Sequence, residues 1–332
     1  MKVRFFNPGL WYKDHKKEID SEISRVLSAG DLILREDVEK FEENLANFVG
    51  TKYAVALNSG TDAIYLSLKT LHLEGKRVAV PSHTFKSTCG AIINAGAIPV
   101  VYDMNGYIVG DDAIGHNDVG ITVHIAGELS PIRKDAWWPV IEDACQALGA
   151  VKNPSSYAQC WSFYPAKILG AVGDAGAITT NNFSTYEYIK EARNHFKGDN
   201  RDFGINSRCD NLQAAFLNVK FKYIDGILNR RQQVADMYYE KLTWDFLGMP
   251  SQQSGRVYQD FIIRTERRNE LYNYLKEQGI ETMKNEYPWS PDYPKLPLAA
   301  KYEAETLRIP CNENLNDREV NEVIEKINGF FK

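Results

Sequence analysis

The sequence predicts an α/β fold: a large, mostly parallel sheet flanked by helices, followed by a smaller C-terminal α+β domain. Two observations carry this. Between residues 53 and 143, short apolar runs alternate with segments of helical period, the pattern of strands joined by crossover helices. After about residue 240 the pattern changes to strand, helix and final helix. With 332 residues, the chain is long enough for two cores. We expect residues 1–240 to form the large domain and 241–332 the small one.

The elements follow in order. KDHKKEIDSEISRVLSAG places Ile19, Ile23, Val26 and Leu27 on one helical face, with Gly30 placed to end the helix. EDVEKFEENLANFVG forms a second helix through Val38, Phe41, Leu45 and Phe48. YAVAL, RVAVP, AIPVVYD, GITVHI and WPVIED are strands, and TDAIYLSLKTL and KSTCGAIINAG are helices between the early ones. From about Thr185 the chain is mainly helical, through TYEYIKEARNH and the long run NLQAAFLNVKFKYIDGILNRRQQVADMYYEKL. YQDFIIRT is a strand, and RRNELYNYLKEQG and REVNEVIEKINGFF are helices. No internal repeat interrupts this order.

Composition excludes several function classes. Apolar residues make up 44% and charged residues 25% of the chain, values of a globular protein. The net charge is −5 with both signs interleaved, so no basic track suits a nucleic-acid backbone. Five scattered cysteines, at 89, 145, 160, 209 and 311, show no metal-ligand spacing and predict no metal site. Reduced thiols suit a reducing compartment, and we expect a cytoplasmic location. Neither a signal-peptide core nor a membrane-spanning apolar run is present, so no membrane association is expected.

Four local features carry chemistry. In CWSFYPAKILGAVGDAGAITT, Lys167 is the only charged residue between Lys152 and Asp174, among aromatic and small neighbours. A lysine at the edge of a core, with its ammonium snorkelling out, has that setting. So does a lysine made nucleophilic by partial burial, able to form a Schiff base with a carbonyl. In PVIEDACQALGA an apolar strand ends in Glu142 and Asp143. Ligands in open α/β sheets sit beyond the carboxyl ends of strands, and adjacent strand residues face opposite ways. At most one of these acids therefore points at such a site. There it can keep a pyridine nitrogen protonated, whereas a strand-end acid elsewhere only caps the next helix.

The third feature is VALNSGTDAIYLSL, where a strand runs directly into a helix through Asn58-Ser59-Gly60-Thr61. Small residues and free N–H groups at a helix start suit a phosphate, although many helices begin with Ser or Thr as a plain N-cap. In the fourth, PSHTFKST, Phe85 is placed either to lie on a planar ring or to fill a core. The glycines of GAVGDAG lack the G-x-G-x-x-G spacing, which excludes a nicotinamide dinucleotide fingerprint.

Taken together, NSGTDA, PSHTF, VIEDACQALGA, SFYPAKILGAVGDAGAI and GINSRCDNLQAA, in that order, resemble the nucleotide-sugar aminotransferase family, the DegT–StrS group of fold type I pyridoxal-phosphate enzymes. The likeness covers essentially the whole chain. It implies pyridoxal 5'-phosphate as cofactor, with Lys167 as the lysine that joins it and Asp143 as the acid beside its ring nitrogen. By the same resemblance Gln146 lies near the ring hydroxyl and Phe85 stacks on the ring. Gly60, Thr61 and Ser162 hold the phosphate, and Asn206 reaches the phosphate of a neighbouring subunit. A homodimer with shared active sites is implied. So are a nucleotide-linked keto-sugar, a 3- or 4-keto-6-deoxyhexose, and an amino-acid donor, glutamate. A sister branch with histidine at the lysine position dehydrates sugars. That reaction and non-catalytic sugar-nucleotide binding are the alternatives, against which the set Lys167, Asp143 and Thr61 argues. Departures from the family pattern are shortened stretches after VYDM, VHIAG and LGAVK, and Glu286-Tyr287-Pro288 where many members have His-Tyr-Pro.

Overall fold

The structure is a computed structural model that describes residues 2–103, 118–132, 138–198, 202–284 and 296–332. The Glu286-Tyr287-Pro288 departure and much of the shortened stretches after VYDM and VHIAG fall outside those residues.

Helix α1 (Pro8–Ala29) begins with proline, whose fixed φ suits a first turn and whose missing N–H is no loss there. It therefore starts earlier than its apolar pattern suggests. It ends at Gly30, whose φ of 72° is left-handed, and the Gly30 N–H donates to Val26 O at 3.0 Å. Ile19 and Val26 are buried as expected, but Leu27 is 56% exposed. Helix α2 (Glu36–Val49) opens with Glu36, Asp37 and Glu39 against its dipole and buries Val38, Phe41 and Leu45.

The main sheet contains β1 (Tyr53–Leu57), β2 (Arg77–Pro81), β3 (Ile98–Tyr102), β4 (Val119–Val123), β5 (Val140–Asp143), β6 (Ala158–Ser162) and β7 (Gly176–Thr180), in the order β1-β7-β6-β5-β4-β2-β3. Strands β2 to β6 pair in parallel, whereas β7 runs antiparallel to both β6 and β1. Alternation divides each strand between the two faces. Val55 and Leu57 enter one core with Ile64 and Leu68 of α3 (Gly60–Lys69), Ile92 of α4 (Lys86–Asn94) and Ile189 of α5 (Phe183–Ala192). Ala54 and Ala56 enter the other, with Phe41 and Leu45 of α2, Trp161, and Leu217 of α6 (Asn211–Phe221). Covering on both faces is why these strands read as continuous apolar runs.

Strands β6 and β7 were not anticipated. Gln159 and two threonines break their apolar character, but the Trp161 indole N–H donates to Thr179 Oγ1 at 2.9 Å, and Thr179 donates to Gln159 Oε1 at 2.8 Å. These polar groups are paired across the strands and can be buried. The long helical run after Asn211 also divides, at Lys222–Tyr223, into α6 and α7 (Ile224–Lys241).

A second sheet joins β8 (Phe261–Arg264), β10 (Thr306–Ile309) and β9 (Met283–Lys284), all antiparallel, with α8 (Arg268–Glu277), α9 (Pro297–Glu305) and α10 (Asp317–Phe330). Strands β9 and β10 and helix α9 were too short and too polar to read from the sequence. The third core packs Phe261, Ile263, Leu307 and Ile309 against Leu271, Val323 and Ile327, and also takes Val3, Val234 and Tyr238. Helix α7 thus serves two cores, since Ile224 and Ile227 belong to the second.

A buried charge cluster fixes α7 to the chain on either side of this sheet. The Arg231 guanidinium donates to the carbonyls of Tyr258, Gln259 and Cys311 at 3.0, 3.0 and 2.9 Å. It also contacts the Glu313 carboxylate at 2.7 Å, and Lys220 Nζ lies 3.7 Å from Glu313. Burial alone raises the Glu313 carboxyl, but the charges of Arg231 and Lys220 outweigh it and hold it below the ordinary range. A carboxyl depressed in the folded state stabilises above its unfolded pKa, and the contribution is lost as pH falls through the folded value. Glu313→Gln leaves two buried cations without a counter-charge, and we expect a loss of about 3–5 kcal/mol in denaturant unfolding at neutral pH. The stability of the variant should also fall less steeply than the wild type's below about pH 4.5.

Candidate active site

All strands of the main sheet except β7 end at one edge, and the carboxyl ends of β1, β2, β4, β5 and β6 border a cavity of about 460 Å³. Gly60, Thr61, Phe85, Asp143, Gln146, Ser162 and Lys167 line it together. Asn206 does not.

The first wall is the start of α3. Ser59 is its N-cap and accepts from the Asp62 N–H at 3.1 Å. Gly60 and Thr61 form the first turn, where backbone N–H groups lack helical partners and favour an anion. Close packing sets this turn. A Cβ on Gly60 meets Cys145 Sγ at 2.8 Å and Ser162 Cβ at 2.9 Å. One on Gly176 meets the Ser59 carbonyl carbon at 2.2 Å and Gly60 N at 2.6 Å. The glycines at 60 and 176 allow β7, β6 and the α3 start to meet.

The acid pair resolves by alternation. Asp143 lines the cavity and is buried. Its Oδ2 accepts from the Thr88 hydroxyl at 2.8 Å, and its Oδ1 from the Cys145 N–H at 3.3 Å. Thr84 in turn lies 2.7 Å from Thr88. Among the described residues no lysine, arginine or histidine forms an ion pair with Asp143, so a buried carboxylate faces the cavity with hydrogen bonds but no counter-ion. Glu142 is committed elsewhere. His124 Nδ1 accepts from the Ser130 N–H at 3.1 Å, so its Nε2–H donates to Glu142 at 2.8 Å, and Ser156 donates to the other oxygen. Beside Asp143, burial and the carboxylate push the Cys145 thiol well up, which keeps it neutral.

Gln146 accepts from the Ala126 N–H at 2.8 Å, in a turn where Ala126 itself has a left-handed φ of 54°. Phe85 is 52% exposed and lines the cavity, an unusual setting for so apolar a ring. Ser162 ends β6 and accepts from the Tyr164 N–H at 3.3 Å. Lys167 sits in the loop between β6 and β7. Its N–H donates to Tyr164 O at 2.8 Å, while Ile168 and Leu169 are buried behind it. Among the described residues its Nζ has no carboxylate within ion-pair distance.

Several lining residues were not found from sequence: Phe5, Tyr164, Arg231, Gln259, Asp260 and Arg308. Tyr164 lies within the lysine motif itself, and the others come from the N-terminus, α7 and the second sheet, far from the local motifs. Arg308 and Asp260 form a buried ion pair at 2.7 Å. The nearby His83 imidazole is pushed down to about 3 by burial and by Arg308, and so is neutral. Asn206 is exposed and bridges to Asn194. Its neighbour Ser207 donates to Asp62 at 2.7 Å, which ties this loop to the start of α3.

The donor set suits a planar, phosphorylated heteroaromatic aldehyde. A helix start faces its anion, an exposed aromatic face its ring, an unpaired buried carboxylate a protonated ring nitrogen, and an amine its carbonyl.

Residues 13–328 match the DegT/DnrJ/EryC1/StrS aminotransferase family. The dTDP-3-amino-3,6-dideoxy-alpha-D-galactopyranose transaminase of Aneurinibacillus thermoaerophilus is 33% identical over 95% of this chain and 96% of its own. The crystal structure of S. venezuelae DesV superposes with a TM-score of 0.92 at 30% identity, covering 99% of this chain and 98% of its own. The Bacillus subtilis protein ntda, solved with bound cofactor PMP, gives 0.88 at 27% identity over 98% of this chain and 84% of its own.

Gly173 in the lysine loop and Gly176 at the start of β7 predict opposite outcomes. Gly176→Ala drives a methyl into the Ser59 backbone and should cost about 1–3 kcal/mol in thermal or denaturant unfolding. Gly173→Ala meets only the amide end of the Gln213 side chain, which can move, and should melt close to the wild type.

Proposed function

The chain belongs to the DegT/DnrJ/EryC1/StrS aminotransferase family, and from that premise we propose that it transfers an amino group from L-glutamate to a nucleoside-diphosphate-linked keto-6-deoxyhexose, at carbon 3 or carbon 4. Pyridoxal 5'-phosphate is the family's cofactor. The observation that carries this reading is the one cavity shared by Lys167, the buried carboxylate of Asp143 and the helix start at Gly60-Thr61. The A. thermoaerophilus relative is named for a 3-amino sugar, which supports carbon 3.

The cofactor, when bound, supplies an electron sink for charge that develops on the substrate carbon. Asp143 would keep the ring nitrogen protonated, since its carboxylate has no ion-pair partner among the described residues. Thr88 and the Cys145 N–H hold that carboxylate in place. Lys167 Nζ is the covalent anchor. With its amine free, Lys167 would be the base and acid that moves a proton at the reacting carbon. Gly60, Thr61 and Ser162 would hold the phosphate, Phe85 would stack on the ring, and Gln146 would lie near the ring hydroxyl. The proposal includes the division of the chain at 240/241, with the sugar entering between the two domains. It includes a homodimer in which Asn206, outside its own chain's cavity, completes the phosphate site of the neighbour.

Product analysis tests the reading. Purified protein with glutamate and a panel of 3- and 4-keto sugar nucleotides should yield one amino sugar and 2-oxoglutarate. Absence of an aminated product across the panel, with the cofactor bound, counts against it. Asp143→Asn should still bind cofactor but lose about two to four orders of magnitude in turnover. Glu142→Gln should lower the melting temperature through His124 and leave turnover near normal. The reverse pattern assigns the ring-nitrogen role to the wrong acid. For the dimer, chains carrying Lys167→Ala and Asn206→Ala are mixed. One site of the hybrid then holds both lesions and the other holds none, so activity should exceed that of either homodimer. A fully active monomer in sedimentation contradicts sharing.

A further inference from the structure

Gln259 precedes β8, in the second sheet, 92 residues from Lys167 in the chain. It is buried, yet it reaches the lysine loop of the first sheet. Its side-chain Oε1 accepts from the Ile168 N–H at 3.1 Å, and its Nε2 donates to Ala166 O at 2.7 Å. One primary amide thus grips the peptide groups on both sides of Lys167. The chemistry fixes the orientation, since Ile168 offers only an N–H and Ala166 only a carbonyl. A carboxylate can accept from Ile168 but cannot donate to Ala166. Gln259 is itself pinned from behind, because Arg231 donates to its backbone carbonyl at 3.0 Å and is held by Glu313.

We infer that Gln259 is a positioning residue for Lys167. The inference rests on the reading of Lys167 as the cofactor lysine. The side chain of Lys167 is long and its ammonium has no ion-pair partner among the described residues. Its reach and direction are therefore set at its Cα. A fixed Cα limits the volume Nζ explores, and reaction geometry is sensitive at that scale: a displacement of about 1 Å can cost on the order of a hundredfold in rate. Gln259 also precedes Asp260, whose carboxylate pairs with Arg308 in the cavity wall. The same strand start therefore meets both the lysine loop and the cavity wall.

The alternative is that Gln259 merely satisfies two buried backbone groups. Stability cannot separate the two, because both predict a lower melting temperature. The test uses the holoprotein in three forms, wild type, Gln259→Ala and Gln259→Glu, each checked for folding by circular dichroism. The visible absorbance of bound pyridoxal phosphate is titrated with pH, and kcat and KM are measured with glutamate and the keto-sugar. A positioning role predicts that the absorbance midpoint shifts by about one pH unit. It also predicts that kcat falls by about tenfold to a hundredfold with KM for the sugar nearly unchanged. Gln259→Glu keeps the size and the Ile168 acceptor, so it should lie between Gln259→Ala and wild type, and it decides alone if Gln259→Ala does not fold. Folded variants with the wild-type midpoint and kcat overturn the inference. A wild-type protein with no pH-dependent lysine-bound band overturns the reading of Lys167 instead, which keeps the two failures distinct.

Discussion

A parallel sheet forces its strands to end at one edge, and everything at this site depends on that constraint. Each parallel connection must cross back over the sheet, so the residues that follow β1, β2, β4, β5 and β6 all emerge together. The exception completes the arrangement. Because β7 runs antiparallel to β6, the chain leaves β6, makes one compact loop at that edge and returns at once. Lys167 is on that loop, so no crossover separates it from Ser162, and β6 lies beside the strand that ends in Asp143. Antiparallel β7 also lies beside β1, which brings Gly176 against Ser59 and locks the lysine loop to the start of α3.

The same geometry leaves a carboxylate with an unmet charge. Burying Asp143 without a cation is costly unless hydrogen bonds offset it. Thr88 and a backbone N–H supply two, which orient the carboxylate without neutralising it. Glu142, one residue earlier, is fully engaged by His124 and Ser156. Two adjacent acids thus have different fates, one structural and one directed at the cavity. The second sheet closes the site from the other side. Its registration on α7 through Arg231 and Glu313 is as polar and as buried as the site itself, and Gln259 carries that registration to the lysine loop.

Much of this was legible because it is local in sequence. The strand-to-helix turn at Ser59-Gly60-Thr61, the strand ending in Glu142-Asp143 and the isolated Lys167 each announce themselves within a dozen residues. Alternation within β5 already required the two acids to differ, though it could not say which faced the site. Strands β6 and β7 were missed because polar residues within them pair across the strands, Trp161 with Thr179 and Thr179 with Gln159, and a single segment does not show both partners. Gln259, Arg231 and Arg308 were missed for a similar reason. Each reads as an ordinary polar residue, and only the approach of the second sheet gives it a role. Leu27 erred the other way: helical period assigned it to a buried face, whereas the helix leaves it exposed.

The central claim is that the Asp143 carboxylate and the lysine loop face one bound pyridoxal phosphate, with Lys167 as its covalent anchor. Borohydride reduction of the holoprotein, followed by proteolysis and mass spectrometry, tests this most directly. The account predicts one phosphopyridoxyl group per chain, on the peptide that contains Lys167 and on no other lysine. Stoichiometric label on a different lysine, or no label in protein that retains the cofactor, contradicts it.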